Sequence, residues 1–297
     1  MPAAARERSF HAFTVDVEEW FQVSAFEHLY PSSSWDELPS RLELGLRRIL
    51  DLCDAHGIRG TFFVLGWIAD RHPRLVAEIR ERGHELGSHS YFHRLVYELD
   101  PAAFRDDVRR SLDAIEAAAN TRPTLFRAPS FSVVRESLWA LDVLAAEGIT
   151  IDSSVFPVHH DRYGIPGAPR GFYRPAEAGG RLVEAPPATV RWLGTNVPCL
   201  GGGYLRLYPL LVNRLALRSL EREGRAAVLY VHPWELDPDQ PRPPAGPVTI
   251  LRHRVGISRL AERLATLLSS HDFAPLGEVV ASIGPEGLPL TAAGGPS

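Results

Sequence analysis

Short apolar runs rich in β-branched and aromatic residues alternate with amphipathic stretches of helical period along most of the chain, the pattern of a parallel α/β protein. The first run is His11-Ala12-Phe13-Thr14-Val15-Asp16. After an aromatic-rich loop, the spacing of Leu42, Leu46, Ile49, Leu50 and Cys53 predicts a helix over 40–56, with Gly57 to end it and a strand over 58–64 to follow. A helix over 75–82 stops at Gly83, ahead of a strand through Leu86. Asp100-Pro101 is an N-cap and first-turn pair for a helix that carries Phe104, Val108, Leu112 and Ile115 on one face, before Leu125-Phe126-Arg127. Helices over 136–147 and 208–223 lead into strands over 149–152 and 226–231, and 182–184 adds one more. About seven strands with helices between them favour a closed or nearly closed barrel over an open sheet.

A last helix is expected over 256–270, and the Gly-, Pro-, Ala- and Ser-rich tail from Gly284 is expected to fray. The long segments 156–180 and 237–247 follow predicted strands, where parallel α/β folds hold their ligands.

At 297 residues the chain suits one large barrel. Its 32 basic and 36 acidic side chains leave a formal charge of −4, too little field to draw a polyanion, so no nucleic-acid partner is expected. Cys53 lies on an apolar helix face and Cys199 is the only other cysteine, which predicts core thiols and a reducing compartment. No run reaches the ~18 apolar residues of a membrane span, and 1–8 lacks a signal-peptide core, so the expected location is the cytoplasm with no membrane span.

In a parallel barrel all strand C-termini open on one face, so polar residues there converge although distant in sequence. Asp16, Glu18, His89, His93, Arg127, Asp152 and His232 each close or follow a strand. An HxxxH pair on a helical turn turns both imidazoles to one side, as metal ligands or as surface and capping histidines. Asp16-Val17-Glu18 places two carboxylates on the same side of an extended chain, although a solvated acidic loop including Glu19 has the same sequence. Two histidines, one carboxylate and an open position make the ligand set of a hydrolytic zinc site. Arg127 needs an acid partner at the end of an apolar strand, for structure or for catalysis. His232 fits a hydrogen-bonded core position as well as a functional one, and Asp152 fits an N-cap.

These residues fall in five motifs that resemble those of the polysaccharide deacetylases of carbohydrate esterase family four, homologues of chitooligosaccharide deacetylase. Thr14-Val15-Asp16-Val17-Glu18 resembles the first, Ser88-His89-Ser90-Tyr91-Phe92-His93 the second, Arg127-Ala128-Pro129 the third, Asp152-Ser153-Ser154 the fourth and Leu229-Tyr230-Val231-His232 the fifth. Trp20-Phe21-Gln22-Val23, Tyr163-Gly164-Ile165-Pro166, Gly201-Gly202-Gly203-Tyr204-Leu205-Arg206-Leu207 and Arg252-His253-Arg254 are similar to a subgroup linked to exopolysaccharide and exosortase loci. The first motif departs from the wider family, where adjacent aspartates are usual and Val17 stands here.

The resemblance implies a distorted (β/α)7 barrel over 10–240, a C-terminal extension over 241–283 packed on it, and a tail over 284–297. It implies hydrolysis of N-acetyl groups on amino sugars of an exopolysaccharide or its precursor, with a divalent metal, Zn²⁺ before Co²⁺, Ni²⁺ or Fe²⁺, held by His89, His93 and Glu18, or else Glu19. Asp16 would be the base, paired with Arg127, and the backbone around Ser153-Ser154 would face the oxyanion. His232 would protonate the leaving amine, held in its charged form by Asp152. Pro129, Trp20, Trp234 and Tyr204 are candidates for the saccharide-binding wall, and Trp67 reads as core. Two other readings share the motifs: an allantoinase-like cyclic amide hydrolase and a catalytically silent carbohydrate-binding protein of a polysaccharide export system.

Overall fold

The computed structural model describes residues 11–294. Strand β1 (His11–Val17) is buried along its whole length, as a strand in the middle of a parallel sheet is, with His11, Thr14 and Asp16 as its buried polar residues. Helix α1 (Leu42–His56) returns the chain, ends at Gly57 in the left-handed conformation, and leads to β2 (Thr61–Val64). The expected units follow: α2 (Gly66–Arg71), α3 (Pro73–Glu81), β3 (Glu85–Ser88), α4 (Pro101–Ala119), β4 (Leu125–Phe126), α5 (Trp139–Ala146) and β5 (Ile151–Asp152). The Asp100 side chain accepts hydrogen bonds from the N–H groups of Ala102 and Ala103, the N-cap read from the sequence.

Beyond β5 come β6 (Arg174–Pro175), β7 (Val183–Glu184), the hairpin β8 (Thr189–Trp192) and β9 (Thr195–Pro198), α6 (Gly202–Leu207), α7 (Leu210–Arg222) and β10 (Val228–Val231). Helices α8 (Pro247–Arg254) and α9 (Ile257–Ser270), β11 (Phe273–Ala274), α10 (Leu276–Ile283) and β12 (Leu290–Thr291) complete the described chain.

Seven strands lie parallel in the order β10-β1-β2-β3-β4-β5-β7, with β11 added beside β1. The (β/α)7 barrel is therefore present as a curled sheet whose edge strands β7 and β10 do not pair directly. Ala188, four residues past β7, donates its N–H to the Val228 carbonyl of β10 at 3.2 Å. Register sets the functional face: Val15 pairs with Val231, Val17 with Val64, Val64 with Ser88, Ser88 with Phe126 and Phe126 with Asp152. Their C-terminal ends thus share one level, and the residues just after them meet above the sheet.

Two expectations change. The stretch from Gly284 is not frayed up to Gly294: β12 pairs with β6, and Ala293 donates its N–H to the Glu177 carboxylate. Residues 295–297 lie outside the described ones. The histidine motif is not a helical turn either, because Ser90 and His93 adopt positive φ of 68° and 56°, which no α-helix contains. The left-handed kinks bring the two imidazoles together by another route.

Cys53 and Cys199 are both buried and free, and burial pushes both thiols up to about 12, as core cysteines should behave.

Candidate active site

Asp16 closes β1 and turns one carboxylate oxygen to Arg127, 2.6 Å from NH1. Arg127 follows β4 and is fully buried. Its NH1 also donates to Thr14 Oγ1, its NH2 to Ser153 Oγ at 3.0 Å, and its plane lies 4.3 Å over the Phe63 ring. A guanidinium in that position is tolerated because each donor direction meets an acceptor. The pairing expected from the third motif is in place.

Glu18, His89 and His93 bring one ligand atom each within 4.8 Å of one another, and all three are buried. His93 Nε2 stands 2.8 Å from Glu18 Oε2. His89 Nδ1 lies 2.7 Å from the Arg127 carbonyl, so this nitrogen carries the proton and Nε2 keeps its lone pair. Burial pushes the His89 pKa down to about 4, which keeps the ring neutral. Burial would raise Glu18, but the imidazoles of His93 and His232 outweigh it and hold the carboxyl at about 2.

A neutral imidazole with a free Nε2, a second imidazole and an ionised carboxylate fit a divalent cation while leaving positions open. Glu19, the other carboxylate considered, turns away and accepts from the N–H groups of Arg41 and Leu42 at the start of α1. The cluster His11, Glu221 and His271 has the same composition but not the same chemistry. His11 Nδ1 accepts from Ala227 N–H, so its Nε2 carries the proton that faces Glu221.

His232 follows β10 with Nε2 3.6 Å from Glu18 and 3.8 Å from Asp16. Its partner is not Asp152. Glu235, three residues on, takes Nδ1 at 2.8 Å and the His232 N–H at 3.0 Å, and is itself held by Arg206 at 2.6 Å. Burial alone would lower the His232 pKa, but Glu235, Glu18 and Asp16 reverse the sign and raise it to about 9. Sequence reasoning missed Glu235, although His-Pro-x-Glu carries the spacing of a capped turn, which is what forms over Pro233–Leu236.

Asp152 is buried against Glu184 instead, and burial raises both carboxyls, with mutual repulsion raising Glu184 further. Asp152 Oδ2 and Glu184 Oε2 have no other partner, a gap that one shared proton fills. Because the folded pair binds its proton more tightly than the unfolded chain, its contribution is complete below the ordinary carboxylate pKa and is lost as pH rises through the raised values. Glu184→Gln is expected to flatten the fall in melting temperature that the parent shows as pH rises above about 4. A parallel shift at every pH would show that the pair does not share a proton.

The remaining expectations divide. Ser153 and Ser154 do not offer free backbone N–H groups to an oxyanion: Ser153 N–H goes to the Phe126 carbonyl and Ser154 N–H to the Glu184 carboxylate. Both side chains are fully buried, with Ser154 Oγ accepting from Ala128 N–H. Trp20 is buried with its N–H on the Pro39 carbonyl, and Trp234 is sandwiched between His232 and His253 with its N–H 2.9 Å from Glu18. Neither ring has a free face for a sugar, since buried indoles find a hydrogen-bond partner before a ligand does. Pro129 is also buried, whereas Tyr204 is half-buried with its hydroxyl 3.2 Å from that of Tyr163. Trp67 is core, packed edge-on against Trp35. A cleft of about 660 Å³ lined by Ser24, Ser130, Tyr97 and Tyr163 adjoins a smaller hollow lined by His93, Gln22 and Phe92, the two sharing Ser24 and Glu27.

The sequence pattern described as Polysaccharide deacetylase matches residues 32–149, and that described as Domain of unknown function (DUF3473) matches 153–281. The peptidoglycan-N-acetylglucosamine deacetylase of Bacillus cereus is 25% identical over 118 residues, 36% of this chain and 43% of that protein. The chitooligosaccharide deacetylase of a Bradyrhizobium species is 32% identical over 98 residues, 33% and 42% of the two chains. The chain spans less than half the length of these curated relatives. A Mycobacterium smegmatis crystal structure, provisionally described as a polysaccharide deacetylase, has the same fold, with a TM-score of 0.67, 22% identity, and coverage of 100% of this chain and 98% of that one. Residues 32–149 thus carry a polysaccharide deacetylase domain and residues 153–281 a DUF3473 domain.

Proposed function

We propose that the chain hydrolyses the N-acetyl group of amino sugars in a polysaccharide or its precursor, with a divalent ion held by Glu18, His89 and His93. The observation that carries this reading is the convergence of those three donors beside the Asp16–Arg127 pair. A divalent ion there supplies Lewis acidity toward water and toward the acetyl carbonyl. Zn²⁺ suits the nitrogen and oxygen donors best, and Co²⁺, Ni²⁺ and Fe²⁺ suit them next.

Asp16 takes the proton of the attacking water, and the ion pair with Arg127 keeps its carboxylate aimed. His232, charged by its acidic surroundings and oriented by Glu235, gives a proton to the nitrogen as the C–N bond breaks. Acetate and a free amine leave. The cleft running past Ser24 and Tyr163 suits an extended saccharide more than a small cyclic amide. An exopolysaccharide or its precursor is the substrate class that the motifs after Trp20 and Gly201 favour.

His93→Ala is expected to lose most of its bound metal and its acetate release together. Elemental analysis beside an acetate assay on N-acetylglucosamine oligomers tests the reading. A parent protein that binds no divalent ion and releases no acetate from them would end it.

A further inference from the structure

Helix α7 buries Asn213, Ala216, Leu217 and Leu220 on the core. On the opposite side, at 100° per residue, Leu211, Leu215, Arg218 and Arg222 fall within about 60° of one another around the axis. Leu211 is 63% exposed and Leu215 53% exposed, on the face where a globular helix places polar residues. Leu207, at the end of α6, is also exposed.

Strand β8 of the hairpin packs against this helix, and the Asn213 side chain donates to the carbonyl of Cys199, the residue after β9, at 2.7 Å. The hairpin tip is Trp192-Leu193-Gly194, with Trp192 68% and Leu193 86% exposed. Leu193 and Gly194 have φ of 48° and 81°, a two-residue turn that Asn and Gly fill without strain and Leu does not. Folding does not ask for a leucine there.

Three of the basic groups on these elements carry no counter-charge. Arg191, Arg218 and Arg222 have no carboxylate partner among the described residues. The acids of the same region are engaged elsewhere, Glu221 with His11 and His271 and Glu223 with Arg170 and Arg225. A second copy seated face to face would set these arginines against one another. A bilayer interface accepts both parts, Trp and Leu at the acyl boundary and Arg at anionic headgroups.

We propose that the hairpin tip and the outer stripe of α7 seat this protein on an anionic membrane surface. This proposal does not depend on the deacetylase reading, and it gives part of the region matched by DUF3473 a role.

The full chain should co-sediment with vesicles of equal parts phosphatidylglycerol and phosphatidylcholine, and not with phosphatidylcholine alone. Removing both arginines as Arg218→Gln with Arg222→Gln should weaken partitioning by about 30-fold, and added salt should weaken that of the parent. Trp192→Ser with Leu193→Gly should weaken it by about tenfold or more. The melting temperature should not fall in the latter variant, because Gly relieves the turn. Absence of co-sedimentation by the parent, or variants that bind as the parent does, would overturn the proposal. So would a dimer in sedimentation equilibrium that Trp192→Ser breaks, which would assign the face to a second copy.

Discussion

Asp16→Asn is expected to reduce acetate release by about 10²–10⁴-fold while the divalent ion stays bound. The amide keeps the shape of the side chain and still accepts from Arg127 through its oxygen, but it cannot take the proton of the attacking water. Glu18, His89 and His93 are untouched by the change, so metal content separates this variant from His93→Ala. Undiminished turnover would remove Asp16 from proton transfer and leave His232 as the remaining group in reach.

Arg127→Met is expected to cost about 3–5 kcal/mol of stability, because Asp16 would be left as a buried charge without its partner. For a chain of this size that lowers the melting temperature by on the order of 10 °C. The discriminating measurement is the double variant. If the loss comes from the stranded carboxylate, Asp16→Asn combined with Arg127→Met should recover part of it, since both members of the ion pair are then gone. A double variant no better than Arg127→Met alone would place the cost in the lost contacts to Thr14, Ser153 and Phe63.

Strand-end chemistry was legible in the sequence because a parallel sheet forces it. Once Val15, Val64, Ser88, Phe126 and Val231 stand at one level, the next polar residues have nowhere else to point. That is why Asp16, Arg127, Glu18, His89, His93 and His232 could be placed on one face from the sequence, and they do lie together there. What failed was partner choice within the cluster. Asp152 and Glu235 are both acids near strand ends, and only the turn over Pro233–Leu236 brings Glu235 back onto His232. Trp20 and Trp234 were misjudged for a different reason: composition distinguishes a tryptophan from a leucine, but not an indole held at Pro39 or Glu18 from one open to a ligand. The left-handed residues in the histidine motif were equally hidden, because neither Ser nor His signals positive φ as Gly does.

The pairing of β1 with β10 has a consequence for how the chain can be taken apart. Proton acceptor and proton donor of the proposed reaction sit on adjacent strands that come from opposite ends of the sequence, Asp16 from the first and His232 from the last of the seven. A cut near residue 150, where the two family patterns meet, would strip β1 of β10 and leave both fragments with a raw sheet edge, with Asp16, Glu18, His89, His93 and Arg127 on one and His232 on the other. Fragments made that way would regain chemistry only by finding each other, so gene fusion or exchange at that junction transfers no activity, and recombination must move the two halves together.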